Sequence, residues 1–261
     1  MALKLKDKVA IVVGGGAGIG RASSKLFSEE GAKVMVADID IDSANKVAAE
    51  SKAAGHEAVT FKVDFTKERE AQAMVKAALD RFGKIDILAN IAGGSVGRGI
   101  RDKLGPFSES TKEEWDRLFD INVNGPRNCT RAVIHHMMER RSGKIVCFAS
   151  IAAVSGMVNG TDYAAAKGAI ISFTRSLAIE MAPYGVYVNC VTPSGVATER
   201  IQTFMPQTVG PAGQGDRGTM SNLATPEEIA AATLFLVSDD SNHVSGQNII
   251  FGVPAIPRPP R

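Results

Sequence analysis

The chain has 261 residues, of which 44% are hydrophobic and 22% charged, with a formal net charge of +2. That is enough apolar material for one large core, so a single α/β domain over 1–261 is expected. Near-neutral charge, without a basic stripe or a run of like charges, argues against nucleic-acid partners and charged tails.

Short apolar runs alternate with helical patterns from the start. Residues 9–13 form a strand candidate, then a glycine cluster leads into a helix over 19–30. A second strand, 33–38, ends in an acid; a helix at 43–54 leads to a third strand over 58–63. Helix 67–82, strand 85–89 and a glycine-rich loop at 93–105 follow. Thr111-Lys-Glu-Glu114 has the form of a capping box that opens a helix. Then come helix 128–140, strand 144–150, helix 163–182 and strand 187–191. Thr225-Pro-Glu-Glu228 starts another helix with proline at its first position, and 249–251 is the last strand. Such alternation predicts a doubly wound (Rossmann) parallel sheet of about seven strands with helices on both faces. Ligands of such sheets sit beyond the carboxyl ends of the strands, where strand order reverses.

Two segments interrupt this rhythm. Residues 199–223 are too long for an ordinary connection and are expected to act as a substrate lid. The proline-rich tail, 254–261, is expected to be extended.

The three cysteines, Cys129, Cys147 and Cys190, are widely spaced and odd in number, which suits buried free thiols in a reducing compartment. The first residues carry lysines but no apolar core of a secretory leader, and no apolar stretch reaches membrane-spanning length. A soluble, cytoplasmic protein with no membrane contact is expected.

The chemistry begins at Gly14-Gly-Gly-Ala-Gly18-Ile-Gly20, between the first strand and the first helix. Glycines there let the backbone approach a pyrophosphate, whose charge then rests on N–H groups at the helix start. Asp38 ends the second strand, where an acid accepts hydrogen bonds from adenosine ribose hydroxyls. A 2′-phosphate would face that carboxylate, so Asp38 favours NAD over NADP. Ala17 and Ile39 stand where a basic residue would otherwise compensate a phosphate.

Tyr163 and Lys167 are four apart on a helix, hence on one face. A tyrosine of ordinary pKa, about 10, is a poor base at neutral pH, and a neighbouring ammonium stabilises its phenolate. Ser150, 13 residues earlier, has a hydroxyl suited to holding the substrate oxygen.

Val13-Gly14-xxx-Gly18-Ile19-Gly20, Asn90-Ile-Ala-Gly93, Asn122-Val-Asn-Gly125, Ser150, Tyr163-xxx-Lys167 and Pro193-Ser-Gly-Val-Ala-Thr198 together resemble, in order and spacing, the short-chain dehydrogenase/reductase family. The resemblance covers roughly 5–252. It implies that Tyr163 is the acid–base catalyst, that Ser150 orients the substrate oxygen, and that Lys167 lowers the tyrosine pKa and binds the nicotinamide ribose. Asn122 would hold a water that extends the proton relay. Asp64, with Phe65 beside it, would contact adenine; Asn90, with Ala92 and Gly93, would support the cofactor cleft. Pro193, Val196 and Thr198 would hold the nicotinamide and pyrophosphate. The chain departs from the family pattern at Val13, Ile91 and Ser194, and its last strand ends Phe251-Gly-Val253. The resemblance also implies a homodimer or homotetramer built on the helices carrying Asn122 and Tyr163.

The expected function is therefore NAD-dependent interconversion of a small secondary alcohol and its ketone. The alternatives are an NADPH-dependent reductase of ketoacyl thioesters and a non-catalytic NAD-binding subunit. Lid residues Ile201, Phe204, Met205 and Val209 suit an apolar substrate, whereas Arg200 and Arg217 suit an anionic group. His56, His135, His136 and His243 have no metal-ligand spacing, and no metal is expected. Trp115 and Phe119 are expected to face the core, with Met137, Met138 and Met181 as core filler.

Overall fold

The computed structural model describes residues 3–97, 100–199, 201 and 223–251. Seven strands form one parallel sheet: β1 (Val9–Val13), β2 (Lys33–Asp38), β3 (Ala58–Lys62), β4 (Ile87–Asn90), β5 (Gly143–Phe148), β6 (Val186–Pro193) and β7 (Asn248–Phe251). Their order is β3-β2-β1-β4-β5-β6-β7, so the winding reverses between β1 and β4, which pair with Ala10 opposite Ile87. This is the doubly wound α/β architecture that the alternating pattern predicts.

Among the described residues the α-helices are α1 (Gly18–Glu29), α2 (Ile41–Ala53), α3 (Glu68–Phe82), α4 (Lys112–Phe119), α5 (Gly125–Arg140), α6 (Ala152–Ser155), α7 (Thr161–Met181) and α8 (Pro226–Val237). Alternate strand residues face two separate cores. Ile11, Met35, Leu88, Ile145 and Val188 pack with α3, α5 and α7 through Met74, Val133 and Ile170. Ala10, Val34, Ile87, Val146 and Val191 pack on the other face with α1, α2 and α8 through Phe27, Val47 and Ile229. Burial on both faces is why these strands are continuous apolar runs instead of alternating ones. Each buried Val, Leu, Ile, Phe or Met side chain among them stabilises the fold by about 1.5–3 kcal/mol.

Both capping boxes form: Thr111 and Glu114 exchange side-chain and backbone bonds at α4, and Thr225 and Glu228 do so at α8. The three thiols are buried, and burial pushes those of Cys129 and Cys147 up to about 12. Met137 and Met181 are core residues, as expected.

Several expectations need correction. Trp115 and Phe119 do not reach the core; half-buried, they stack on each other at 5.0 Å, and Leu118 is the buried residue of α4. Helix α5 starts at Gly125 and not at 128, because Pro126 falls in its first turn, where a missing N–H costs nothing. Before it, Asp120–Asn124 forms one turn of π-helix continuous with α4 and α5. β5 ends at Phe148, two residues short of Ser150, and Asn90 is the last residue of β4 instead of following it. Of the expected lid, only Glu199, Ile201 and Leu223 are among the described residues. Arg200, Phe204, Met205, Val209, Arg217 and the tail 254–261 lie outside them. No helix of the described residues is long and apolar enough to cross a membrane.

Candidate active site

A cleft of about 480 Å³ opens at the carboxyl ends of the strands, above the reversal between β1 and β4. Its floor begins with the turn after β1. Ala17 caps α1 in extended conformation without a side-chain bond, and no acid occupies the first turn. The leading N–H groups of α1 therefore keep no side-chain acceptor of their own, which suits an anionic ligand. Gly18 has φ +50°, and a Cβ there would stand 3.1 Å from Thr198 Cγ2 across the cleft. At Gly20 a Cβ would come within 1.9 Å of Gly14 O, so a side chain is excluded where α1 crosses the turn.

Ile19, Asp38 and Ile39 line the same end of the cleft, followed by Asp64 and Phe65. Asp38 is 3% exposed; its Oδ2 accepts from Gly16 N at 3.0 Å and its Oδ1 from Asp40 N at 3.1 Å. The carboxylate is thereby fixed beside the glycine turn. Asp64 Oδ1 accepts from the Thr66 hydroxyl at 2.6 Å, and Lys67 lies 3.2 Å from Oδ2. Burial opposes the charge on Asp64, but these partners outweigh it and hold its carboxyl below the usual range.

The other end of the cleft carries Ser150, Tyr163 and Lys167, together with Ala92, Gly93, Pro193 and Val196. Tyr163 lies in the first turn of α7 and Lys167 one turn later. Lys167 is 3% exposed; its Nζ donates to Phe148 O at 2.8 Å and stands 5.9 Å from the centre of the Tyr163 ring. Ser150 Oγ accepts from Ala152 N at 3.3 Å, which orients the hydroxyl just past β5.

Two residues of the expected site stand behind the cleft wall. Asn122, in the π turn, is wholly buried and bonds Gly94 from both ends of its amide: Gly94 N donates to Oδ1 at 3.0 Å, and Nδ2 donates to Gly94 O at 2.9 Å. Yet it is close to Lys167. A Cβ on Gly93 would lie 2.8 Å from Asn122 Oδ1 and 2.9 Å from Lys167 Nζ. Asn90 donates to Thr130 Oγ1 at 3.1 Å and to Pro126 O at 3.4 Å, joining β4 to α5 beneath the cleft. Sequence reasoning did not single out Ile100, Arg117 and Ile121, which also line the cleft, and it named Ser194 only as a departure from the family pattern. Ile121 adjoins Asn122; for Ile100 and Arg117 only the folded chain gives the signal.

The model of the family described as short chain dehydrogenase matches residues 8–208. The chain belongs to that family. Its members are NAD(P)-dependent oxidoreductases acting on CH–OH groups, and that holds for this chain. It is 35% identical to a cis-4-hydroxycyclohexanecarboxylate dehydrogenase of Sinomonas cyclohexanicum, over 92% of this chain and 93% of that one. Among solved structures, a 7α-hydroxysteroid dehydrogenase in complex with NADH and 7-oxo glycochenodeoxycholic acid superposes with a TM-score of 0.84. Identity to it is 30%, over 96% of this chain and 94% of that one. A 3-ketoacyl-(acyl-carrier-protein) reductase from Brucella melitensis, complexed with NADH, gives 0.82 at 33% identity, over 94% and 97%.

Proposed function

We propose that this chain is an NAD-dependent dehydrogenase of a secondary alcohol with a mainly apolar body, with Tyr163 as its proton-transfer group. The observation that carries the reading is the grouping of Ser150, Tyr163 and Lys167 at one end of a cleft whose other end holds the uncapped start of α1 and a fixed Asp38.

The residues present fit a nicotinamide dinucleotide. The turn from Gly14 to Gly20 and the first N–H groups of α1 would receive the pyrophosphate. Asp38 and Ile39 would face the adenosine ribose, and Asp64 and Phe65 the adenine. Ala92, Gly93, Pro193, Val196 and Thr198 would flank the nicotinamide end, and Asn90 would brace the sheet beneath. When bound, the nicotinamide accepts or gives the hydride. The chain's own residues manage the proton. Ser150 Oγ would hold the substrate oxygen while Tyr163 Oη takes its proton in the oxidising direction. Lys167, held by Phe148 O, would favour the phenolate and bind the nicotinamide ribose. Asn122, fixed through Gly94 and next to Lys167, would hold a water that continues the relay.

Asp38 favours NAD, because a 2′-phosphate would meet a buried carboxylate held in place by two backbone N–H groups. Oxidation of the alcohol is the expected direction, since cells usually keep NAD oxidised. Ile100 and Ile201 give the cleft an apolar wall, and the ring-bearing compounds in the names of two relatives support a cyclic alcohol or ketone. A homodimer or homotetramer in the cytoplasm completes the proposal; sedimentation as a monomer at micromolar protein would overturn the assembly.

The test is NADH formation across a panel of cyclic and acyclic secondary alcohols, with NAD or NADP, alongside Tyr163→Phe. Turnover with NAD that Tyr163→Phe abolishes, with NADH affinity retained, supports the reading. Full activity in Tyr163→Phe, or a preference for NADP, refutes the corresponding part.

A further inference from the structure

From the stretch after β4, Gly93, Gly94, Ser95 and Ile100 line the cleft at the Tyr163 end. Two anchors hold this stretch. At one end Gly94 exchanges hydrogen bonds with Asn122. At the other, Arg101 forms a two-pronged ion pair with Asp162: Nη1 donates to Oδ2 at 2.8 Å and Nη2 to Oδ1 at 2.9 Å. Both side chains are nearly dry, at 5% and 4% exposure. Arg101 also donates from Nε to Ser95 O at 3.0 Å, and its carbonyl accepts from Gly97 N at 2.8 Å. One side chain thus closes the loop on itself and ties it to α7.

Asp162 immediately precedes Tyr163, whose backbone N donates to Asp162 Oδ1 at 2.7 Å. A dry carboxylate one residue from a tyrosine that must pass through phenolate would oppose that ionisation. The guanidinium of Arg101 cancels this charge where it stands, and its planar fork fixes the distance between loop and helix in a way a lysine cannot reproduce. A buried pair of this kind adds little net stability over apolar replacements, so a positional role accounts for it better than a stabilising one.

We propose that Arg101 is a positioning residue, which through Asp162 sets the substrate wall of the cleft against Tyr163 and neutralises the carboxylate beside it. The inference rests on Tyr163 being the proton-transfer group. Among the described residues, the other charged groups lining the cleft with Tyr163 are Asp38, Asp64, Arg117, Lys167 and Glu199, and none is altered in the test.

The experiment compares the full-length Arg101→Met, Arg101→Lys and Arg101→Met/Asp162→Asn variants for KM, kcat and the pH profile of kcat/KM, using the best alcohol from the panel. Ionisation of Tyr163 is read independently from phenolate absorbance, with a Tyr163→Phe background subtracted. Arg101→Met should move that ionisation up by roughly one pH unit. The double variant, which leaves neither member of the pair charged and so is the safer one to fold, should restore the midpoint yet keep KM raised by about tenfold, with NADH affinity unchanged. Arg101→Lys should keep the midpoint and share the KM defect. A folded double variant with the parent's KM, or an Arg101→Met variant with the parent's midpoint, would overturn the proposal. Should Tyr163→Phe prove fully active, the catalytic assignment falls instead, and a KM defect in the double variant would still report the loop tether.

Discussion

Asn122 and Gly94 hold each other by two hydrogen bonds running in opposite directions, and Nδ2 of Asn122 donates a further one to Leu118 O at 3.0 Å. Both amide protons are thereby used inside a wholly buried π turn, while Oδ1 keeps capacity for one more donor. Replacing it by alanine leaves Gly94 N and O unpaired beside the cleft, and a buried orphan of this kind costs about 1–3 kcal/mol. Asn122→Ala should therefore unfold at lower denaturant concentration and turn over more slowly. An unchanged midpoint in urea would mean that water replaces the amide without loss.

Lys167 Nζ stands 5.9 Å from the centre of the Tyr163 ring. Removing an ammonium raises the pKa of a phenol beside it, so the rising limb of alcohol oxidation should move to higher pH in Lys167→Met. At neutral pH the rate should fall by about two to four orders of magnitude, the usual size of an acid–base contribution. Rate–pH profiles of the two proteins decide the matter.

The two backbone bonds from Gly16 and Asp40 fix Asp38 as an acceptor with little freedom to turn away. Asp38→Ser should shift the ratio of kcat/KM for NADP over NAD upward by about tenfold or more, through loss of like-charge repulsion. An unaltered ratio would place cofactor choice elsewhere in the cleft.

Gly20→Ala forces a methyl to within 1.9 Å of Gly14 O, a backbone atom that no side-chain rotation can relieve. The turn must deform, at a cost of about 1–3 kcal/mol by the scale of overpacked sites. The expected result is a lower melting temperature together with weakened NADH binding in fluorescence titration.

Asp86, at the opposite end of the sheet, is 6% exposed and accepts from Val9 N at 2.8 Å, with Lys84 and Arg140 each 3.0 Å away. Burial works against its charge, but these three partners prevail and hold the carboxyl below the usual range. Its contribution to stability is thus complete above the unfolded value of about 4 and drains away as pH falls through the folded value below it. Asp86→Asn should reduce stability at neutral pH and flatten its decline below about pH 4, as followed by urea melts at several pH values.

Much of the architecture could be read from the residues because parallel strands buried on both faces are plain apolar runs, and because Gly14 to Gly20 and Asp38 sit where such a sheet puts its ligand. Helical spacing puts Tyr163 and Lys167 on one face, but it is the ordered set of motifs around them that singles the pair out. Other features depend on partners remote in the chain. Arg101 meets Asp162 across 61 positions, and nothing local to either residue announces it. The π turn that turns Asn122 inward has no recognisable spacing, since one extra residue per turn leaves the neighbouring helices intact. Trp115 and Phe119 misled for a simpler reason: a four-residue interval defines a face without saying which way it points.

Strand β1 finds β2 on one side within its own first helical crossover, but its other neighbour, β4, arrives only after some seventy further residues have folded. The ligand cleft lies over that late seam and draws its walls from segments as far along as Thr198 and Ile201. A complete dinucleotide site is therefore expected only once these distant segments have come together, and binding would report that assembly. Because ligand then acts on the native state alone, saturating cofactor at a hundredfold its Kd would add about 2.7 kcal/mol to global stability. Resistance to proteolysis in a cell would follow the supply of that nucleotide.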